Sequence, residues 1–393
     1  MKKIIIITHN FLPESLGGAS RIYEMAKLLK QFYEVNIVCP PPTYPFTKYK
    51  KAKYFFRKEN FEGLKIFRIW TYQPSKKKPT FFQRFLYYII FPMMTGFFLM
   101  TLLHKVKFVI ISTPPSSLLI LTVMVKLFNK KIIIDVRDLW IDAAISLGYA
   151  KEKSVLTVLL KKFEQYCWQK ADLIIVNSIF IQDVIIQTIS EKNKSKIKYF
   201  PFNVDLKIFK KDLNIKIDNH IVYIGNFGVA QNIQAFINAV PIIVKKIPDL
   251  RIQFYGGGDS ENEIKKIVND LKLDQYIKFN NPVSRNEIPM ILSKSILGLI
   301  PLADNNALRY AMPTKTFEYF ACNLPVIAFG SSDELERTIN ESKSGIFVRG
   351  NDQNKIADAI IKLLNNKMEL EKYAINARTF VEQQIDHSFF SKL

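Results

Sequence analysis

Short apolar runs rich in β-branched residues alternate with longer amphipathic stretches along the first half of the chain. The runs predict strands, and the stretches predict helices such as those at 20–30 and 155–170. The predicted strands are Ile4–Ile7, Val35–Val38, Leu64–Ile69, Phe108–Ile111, Lys131–Ile134 and Leu173–Val176. Such alternation is typical of βαβ units, so this half of the chain predicts a doubly wound parallel sheet.

The alternation pauses at Tyr199–Asp205, where aromatic residues and a proline predict a crossing between domains, and then resumes. The second set of predicted strands is Ile221–Ile224, Arg251–Tyr255, Ile277–Phe279, Leu297–Ile300, Val326–Ile327 and Gly345–Val348, and helices are predicted at 232–246, 261–271 and 354–365. The pattern therefore predicts an α/β protein with two Rossmann-like doubly wound domains, which face each other across a cleft at the carboxyl ends of their strands. The predicted boundaries are 1–205, 206–370 and a closing helical segment, 371–393, that packs back toward the first domain.

Composition excludes several classes of protein. The chain has 393 residues, of which 48% are hydrophobic, so it can form extensive cores and is neither disordered nor collagenous. Its three cysteines are Cys39, Cys167 and Cys322, which form no CxxC pair and are too few for a disulfide framework. We expect them to be buried in a reducing compartment, with the cytoplasm as the default location.

Charge is distributed unevenly between the two predicted domains. The net charge is +18 over residues 1–205 and +3 over residues 206–393. A basic half predicts contact with a polyanion or with an anionic membrane surface, although a generally lysine-rich composition is an alternative explanation. No nucleic-acid recognition motif accompanies the basic residues, so a nucleic-acid partner is disfavoured.

Residues 81–103 raise the question of a membrane. The segment is long enough to reach across a bilayer, but Gln83, Arg84, Pro92 and Gly96 interrupt its apolar character. Lysines flank it on both sides, at 76–78 and at 105 and 107. This pattern favours a helix in the membrane interface, within a possible membrane-surface region at 45–105, over a buried core helix or a spanning helix.

Candidate chemistry in the first half follows two predicted strands. Gly17 and Gly18 open a helix after the first strand, where backbone N–H groups can approach an anion. Asp135, Arg137 and Asp138 follow another strand, at the edge where open α/β sheets bind ligands. The three charged side chains could equally form a structural cluster. No GxGxxG motif occurs, so a dinucleotide cofactor is disfavoured.

In the second half the richest segment is residues 307–327. A loop that ends at Pro313 and Thr314 opens a short helix, with Lys315 at its start and Glu318 one turn later. This arrangement suits a diphosphate and a sugar hydroxyl, although a capped helix with solvated side chains would have the same sequence.

Taken together in this order, the motifs over residues 3–385 resemble those of the GT-B glycosyltransferases of the family 4 type, and among them bacterial surface-polysaccharide transferases of the N-acetylfucosamine type. The matching segments are Pro13 to Gly18, Asp135 to Trp140, the hinge 201–205, Gly225-Asn226-Phe227-Gly228 with Ala230-Gln231, Gly256-Gly257-Gly258, and Pro313-Thr314-Lys315 to Tyr319.

The resemblance implies a nucleotide-sugar donor, held by the second domain, and an acceptor, held by the first. Glu318 matches the second acid of the family's E-x7-E motif, which binds the ribose, whereas Tyr310 occupies the position of the first acid. Asn226 and Gln231 stand near the positions of a basic pair that holds the diphosphate in many members, so we expect Arg309 and Lys315 to supply that charge. Arg137 occupies the position of a frequent histidine.

The resemblance predicts a site of the following residues. The catalytic residues are Arg137, Asp138, Lys315 and Glu318. The nucleotide and diphosphate contacts are Gly17, Gly18, Gly225, Asn226, Gln231, Gly257, Arg309, Pro313, Thr314, Lys315 and Glu318. The acceptor or membrane surface is formed by Arg21, Lys76, Lys77, Lys78 and Arg84. No D-x-D motif and no metal-ligand spacing of histidines occurs, so the sequence requires no metal and no cofactor besides the donor.

The implied function is transfer of a sugar, with retention, from a UDP-sugar to a lipid-diphosphate-linked saccharide in capsule or O-antigen biosynthesis. The protein would lie in the cytoplasm, peripherally at the inner face of the cell membrane. Two alternatives remain open at this point: a GT-B nucleotide-sugar epimerase, and a catalytically degenerate partner subunit at the membrane.

Overall fold

The computed structural model describes residues 1–14, 17–201, 204–215, 217–218 and 220–384. The described residues divide into two compact units, one that ends at Pro201 and one that begins at Val204. The hinge predicted at 201–205 lies partly outside the described residues, because 202 and 203 are not among them.

The first domain is built on an eight-stranded sheet. Its strands are β1 (Lys3–Thr8), β2 (Glu34–Cys39), β3 (Phe56–Phe61), β4 (Leu64–Ile69), β5 (Val106–Thr113), β6 (Lys131–Val136), β7 (Leu173–Val176) and β8 (Ile197–Tyr199). Their order is β3-β4-β2-β1-β5-β6-β7-β8, and all pairs are parallel except β3 with β4. The core lies around β1, whose four isoleucines, Ile4–Ile7, are fully buried. A continuous apolar run is what a strand covered on both faces requires.

All six strands predicted in this half are confirmed, but β3 and β8 were not predicted. β3 has the sequence FRKENF and is mostly exposed at the edge of the sheet, so it carries no alternation of apolar and polar residues. β8 has three residues, which is too short for a pattern. The helices are α1 (Gly17–Lys30), α2 (Phe81–Met100), α3 (Ile120–Leu127), α4 (Trp140–Ser146), α5 (Val155–Lys170), α6 (Ile179–Thr188) and α7 (Glu191–Lys194).

The second domain is built on a six-stranded parallel sheet. Its strands are β9 (His220–Asn226), β10 (Arg251–Gly257), β11 (Ile277–Asn280), β12 (Leu297–Pro301), β13 (Val326–Gly330) and β14 (Gly345–Arg349), in the order β11-β10-β9-β12-β13-β14. The helices are α8 (Ile233–Lys246), α9 (Glu261–Asp270), α10 (Ile288–Lys294), α11 (Lys315–Ala321), α12 (Asp333–Ser342), α13 (Gln353–Leu364) and α14 (Lys367–Gln384). Every strand predicted here is confirmed, and so is the doubly wound α/β class.

Helix α14 closes the described part of the chain. It packs on α11, α12 and α13 of the second domain. The Arg378 guanidinium holds it there by donating hydrogen bonds to the backbone oxygens of Phe209, at 2.9 Å, and Ala321, at 2.6 Å. Residues 385–393 lie outside the described residues, so the return of the closing segment toward the first domain stays a prediction.

Helix α2 comprises the apolar segment whose environment the sequence left open. Thr80 and Gln83 form a capping box at its start, and the bulky residues Tyr87, Phe91 and Leu99 are buried. Among the described helices, none is long and apolar enough to cross a membrane. The cysteines are all free and buried, as the sequence predicts.

Candidate functional site

The carboxyl ends of β9 and β10 in the second domain are shaped by glycines. Gly225 and Gly256 are paired neighbours on the two strands and have φ values of +149° and +150°. A Cβ at Gly256 would lie 1.9 Å from the backbone oxygen of Gly225, so no larger residue fits there. The Phe227 N–H donates to Gly257, at 3.0 Å, and fixes the loop that leaves β9. The predicted glycines thus bring two backbones close together at the edge where α/β sheets bind ligands.

Lys315, the first residue of α11, lies at this same edge. Its ammonium nitrogen is 3.6 Å from the centre of the Tyr223 ring, and a Cβ on Gly225 would come within 2.8 Å of it. Burial lowers the pKa of Lys315 to about 7, although the nearby Glu318 carboxylate acts in the opposite direction. A desolvated amine poised near neutral pH is a strong partner for an incoming anion, because its charge is poorly compensated in the unliganded protein.

Glu318 stands one turn further along α11 and is paired with a residue that sequence reasoning missed. Arg285, in the loop after β11, donates from Nη1 to Glu318 Oε1 at 2.8 Å, and its guanidinium lies 4.8 Å from the centre of the Phe209 ring. Both side chains are mostly buried, at 24% and 14% exposed. The pair orients the carboxylate that the family resemblance assigns to the ribose. Arg285 follows a strand at the same sheet edge, and this position was the available signal for it.

Arg309 lies in a different setting from Lys315. It is 56% exposed and forms an ion pair with Asp333, which Arg349 also contacts at 2.9 Å. Its guanidinium lies 5.8 Å from the centre of the Tyr310 ring. An exposed pair of this kind contributes little to stability, so it leaves Arg309 able to exchange partners. Its contact with a diphosphate stays a prediction.

The remaining residues predicted in this domain lie in turns near β9 and α11. The Gln231 amide oxygen accepts from the Gly228 N–H at 3.2 Å and thereby caps the turn after β9. Asn226 is exposed beside the same turn. Pro313 and Thr314 precede α11, and the Pro313 carbonyl accepts from the Thr316 N–H at 3.1 Å. The structure therefore brings Lys315 and Gly225 together, and it places Gln231 in a structural role.

In the first domain, Arg137 follows β6 and lies against Gly18. Its Nε and Nη2 atoms donate to the backbone oxygens of Thr113, at 3.0 Å, and Pro114, at 3.1 Å. A Cβ at Gly18 would lie 1.5 Å from Nη1, so this glycine is required to make room for the guanidinium. Gly17 begins α1 next to it. The Gly-Gly pair thus has a steric reason, and its predicted contact with an anion stays a prediction.

Arg21 corrects one prediction of a surface role. It is 2% exposed and donates from Nη2 to Asp135 Oδ1 at 2.7 Å, and Ser112 donates to the other carboxylate oxygen at 2.7 Å. Its Nη1 and Nη2 atoms also donate to the backbone oxygens of Pro201 and Phe200, each at 3.1 Å. The prediction that Arg21 forms part of an acceptor or membrane surface is wrong, because a buried charge needs this partner and these acceptors.

Asp138 is the exposed acid of the same segment. Although solvent reaches its side chain, desolvation by the surrounding protein raises the pKa of the carboxyl to about 6, against the effect of the Arg137 charge. A carboxyl group with such a pKa can accept and release a proton near neutral pH. The structure separates the predicted cluster of Asp135, Arg137 and Asp138, because Asp135 pairs with the buried Arg21 whereas Asp138 is exposed beside Arg137.

His9, at the end of β1, is a second residue that sequence reasoning left aside. It is fully buried, with its ring centre 4.4 Å from that of Tyr87 and 5.3 Å from that of Phe91, both on α2. Burial lowers its pKa to about 4, so it is neutral at pH 7. Its contacts tie α2 to the carboxyl end of the central strand.

The other predicted basic surface residues are exposed. Lys76, Lys77 and Lys78 lie in the loop before α2, and Arg84 lies in its first turns with its guanidinium 6.0 Å from the centre of the Phe46 ring. Within the described ranges, no group of three or more His, Cys, Asp or Glu side chains is placed to hold a metal ion.

Comparison with known sequences finds a family match for the second domain. Residues 218–366 match the family described as Glycosyl transferases group 1, and this range contains Gly225, Arg285, Lys315 and Glu318. The capsular polysaccharide biosynthesis glycosyltransferase CapM of Staphylococcus aureus is 24% identical over 303 residues, which cover 72% of this chain and 74% of CapM. The GDP-mannose-dependent alpha-(1-6)-phosphatidylinositol monomannoside mannosyltransferase of Mycobacterium tuberculosis is 22% identical over 214 residues. The chain spans about half of that relative, with 48% of this chain and 52% of the relative aligned.

Solved structures with the same fold cover the whole chain. The sucrose-phosphate synthase from Thermosynechococcus elongatus superposes with a TM-score of 0.76 at 15% identity, covering 100% of this chain and 97% of the synthase. The Anabaena protein Alr3699/HepE, solved with UDP and glucose, superposes with a TM-score of 0.70 at 12% identity, covering 100% and 98%. At these identities the likeness concerns the fold.

Proposed function

We propose that this chain, a GT-B fold protein whose second domain is a glycosyltransferase group 1 domain, transfers a sugar from a nucleotide-sugar to a saccharide acceptor in bacterial surface-polysaccharide or glycolipid biosynthesis. The donor is a UDP-sugar held by the second domain. The acceptor is a lipid-diphosphate-linked saccharide at the cytoplasmic leaflet, held by the first domain. The glycosidic linkage forms with retention at the anomeric carbon.

The observation that carries the proposal is the setting of Lys315. Its amine lies over the Tyr223 ring and against Gly225, at the carboxyl end of β9, and its pKa is lowered to about 7. Because Gly225 has no side chain, a phosphate can approach the backbone at this point. The desolvated ammonium of Lys315 is stabilised strongly by an anion. A diphosphate is the ligand that uses both features, and Glu318, on the same helix, is proposed to accept hydrogen bonds from ribose hydroxyls.

In the proposed reaction, negative charge develops on the diphosphate, and nearby cations must stabilise it. The bond between the anomeric carbon and the phosphate oxygen breaks, and its electron pair goes to the leaving diphosphate, while the acceptor oxygen forms the new bond on the face that the diphosphate leaves, as retention requires. The Lys315 ammonium stabilises the negative charge that develops on the leaving group. Arg309 is the second cation proposed for the diphosphate, and it would exchange its exposed pairing with Asp333 for the phosphate.

In the first domain, Asp138 is proposed to receive the acceptor's hydroxyl proton. Its carboxyl has a pKa raised to about 6, so it is mostly ionised at pH 7 and yet basic enough to accept a proton in the transition state. Arg137, anchored on the Thr113 and Pro114 carbonyls, is a fixed cation beside it. The exposed Lys76, Lys77, Lys78 and Arg84 are proposed to attract anionic lipid headgroups.

The named relatives and neighbours support this substrate class. CapM is a capsular polysaccharide glycosyltransferase, and another relative, 22% identical over 247 residues, is the poly(ribitol-phosphate) alpha-N-acetylglucosaminyltransferase of Staphylococcus aureus. Structures of Alr3699/HepE contain UDP or UDP-glucose. The mycobacterial relative is named for GDP-mannose, so the guanine nucleotides belong in the same experiment.

The test is a thermal-shift and calorimetric series with UDP, GDP, dTDP and their sugars on the purified protein. We expect one nucleotide to raise the melting temperature of the parent protein, because a ligand that binds only the native state stabilises it. Lys315→Ala and Glu318→Ala should remove most of that shift. Lys266→Ala is the matched control, because Lys266 is an exposed lysine of α9 with no role in the proposed site.

A transfer assay then separates the alternative functions. With the selected donor and a lipid-linked saccharide, we expect sugar transfer, and Lys315→Ala should lower turnover by about tenfold or more if it stabilises the leaving diphosphate. Donor binding with epimerisation of the sugar and no transfer would indicate the epimerase. Absence of binding by every nucleotide would refute the donor site and indicate a degenerate partner subunit.

A further inference from the structure

The first half of helix α5 in the first domain has its apolar side chains on the outside, whereas Cys167 and Trp168 in the second half are buried. Thr157 and Glu164 are buried, and the Lys161 amine, in the same inward stripe, pairs with Asp142 of α4 at 2.7 Å. The outward residues are five aliphatic side chains that are 40% to 76% exposed: Val155, Leu156, Val158, Leu159 and Leu160. A helix in contact with water normally has the reverse arrangement.

The buried carboxyl group of α5 makes this arrangement, with polar side chains inside and apolar ones outside, unfavourable in water. Glu164 accepts a hydrogen bond from the Ser116 hydroxyl at 2.5 Å, and burial raises its pKa to about 7. The protein thus desolvates a carboxyl group while leaving neighbouring leucines exposed. Such a pattern is consistent with an environment other than water on the outer face of the helix.

Helix α3, which packs against α5, and helix α2, which packs against α3, show the same exposure. Helix α3 contacts both α2 and α5, and Gly96 of α2 comes close to Leu121 and Met124 of α3. The exposed large apolar residues of these two helices are Phe81, Phe82, Phe85, Met93, Phe97 and Met100 on α2 and Ile120, Val123 and Leu127 on α3. Apart from the adjacent Phe81 and Phe82, they recur at intervals of three or four residues or multiples of these, so each helix carries an apolar stripe.

Charge identifies what covers these stripes. The chain contains no Asp or Glu between Gly63 and Ile134, a stretch of 72 residues that includes α2 and α3, and it contains eleven Lys and Arg residues there. A second copy of this chain would bring like charges together at such a surface. An anionic bilayer provides both an apolar interior for the stripes and negative headgroups for the basic side chains.

We propose that α2, α3 and the first half of α5 form one apolar platform that inserts into the interface of an anionic membrane. This inference deepens the proposed function, on which it rests for the lipid-linked acceptor. It extends the proposed membrane surface from the basic segment that precedes α2 as far as α5. It also makes insertion of apolar side chains, rather than attraction of lysines to headgroups, the main source of membrane affinity. The platform would hold the first domain at the leaflet that carries the acceptor.

The test is flotation of the full chain with phosphatidylcholine vesicles that contain or lack phosphatidylglycerol. The variant Leu156→Gln with Leu159→Gln should lower partitioning by about tenfold or more, since two leucine side chains no longer leave water. The control variant, Leu213→Gln with Met368→Gln, replaces two apolar residues of the second domain that are more exposed than Leu156 and Leu159, and it should bind as the parent does. The parent should remain partly bound in about 1 M NaCl, where headgroup attraction is screened.

Three outcomes would overturn the proposal. One is binding by the α5 variant equal to that of the parent, and another is complete loss of parent binding in high salt. The third is a parent that is dimeric without lipid and an α5 variant that is monomeric, which would identify a second copy as the occupant. The nucleotide thermal shift of the α5 variant is measured in parallel. A normal nucleotide thermal shift together with lost flotation would show that the substitution affects only the platform. A missing thermal shift in every protein tested, the parent included, would refute the proposed donor site instead.

Discussion

Raising the pH through the titration of Lys315 should weaken binding of the nucleotide-sugar. Burial against Tyr223 and Gly225 lowers the pKa of this amine to about 7 in the unliganded protein. A bound diphosphate favours the ammonium form and raises that pKa again. Binding therefore takes up a proton above pH 7, and the affinity must fall as the pH rises.

The magnitude follows from this linkage. With a pKa of about 7 in the free protein and one near the ordinary value in the complex, Kd increases about tenfold for each pH unit well above 7. Between pH 7.0 and 8.5 the expected increase is about sixteenfold, which corresponds to about 1.6 kcal/mol. An unperturbed lysine would remain charged over this range and would produce no such slope.

The assay is isothermal titration calorimetry from pH 7.0 to 9.0 in two buffers of different ionisation enthalpy, which reports the proton uptake directly. The ligand is the nucleotide-sugar chosen by thermal shift, because its diphosphate has no proton to lose in this range. Lys315→Gln should bind more weakly and without the slope, and Lys266→Ala should follow the parent. A parent Kd that is constant over this range, or a slope that persists in Lys315→Gln, would refute the reasoning.

Three further predictions test other parts of the structure. Gly18→Ala should lower the free energy of unfolding by about 1–3 kcal/mol in urea denaturation, because its Cβ would meet Arg137 Nη1 at 1.5 Å. In an Arg137→Ala background this loss of stability should disappear. An equal loss with and without the Arg137 side chain would contradict the clash. Glu164→Gln should stabilise the protein by about 1–3 kcal/mol at pH 8 but not at pH 5. Because the pKa of Glu164 is raised from 4.5 to about 7 in the folded protein, the parent loses stability as the pH rises between these two values. Parallel pH profiles of stability for parent and variant would exclude this cost of ionising Glu164. Glu318→Gln should raise the Kd of the nucleotide-sugar about tenfold, and Arg285→Ala should raise it less, because the arginine acts by orienting the carboxylate; unchanged affinity in Glu318→Gln would remove its ribose contact.

The fold was largely predictable because most strands lie inside their sheets. A strand buried on both faces requires a continuous apolar run, and the runs at Ile4–Ile7 and Val326–Ile327 show it plainly. The strand Phe56–Phe61 could not be found in this way, since an edge strand exposed to solvent carries charged residues that read as a loop. Because the βαβ pattern predicted parallel strands, their carboxyl ends were expected at one edge of each sheet, and the candidate site was expected there.

The site was only partly predictable. Spacing placed Lys315 and Glu318 on one helix, and the structure confirms that helix. The pairing of Glu318 with Arg285 joins residues 33 positions apart, and no local pattern reports it. Arg21 was misplaced for the same reason, because its partner Asp135 is 114 residues away and the sequence shows only a basic residue on an amphipathic helix.

By itself, the sequence determined the α/β class, the two doubly wound domains, the basic character of the first one and the glycines at the strand ends. These properties depend on periodicity, composition and backbone freedom, which are local. Tertiary structure alone decided which charges are buried and paired, that Lys315 is desolvated against Tyr223, and that α5 turns its leucines outward. Burial and ion pairing arise from contacts between distant segments, so the same residue can be a solvated charge or a perturbed one until the chain has folded around it.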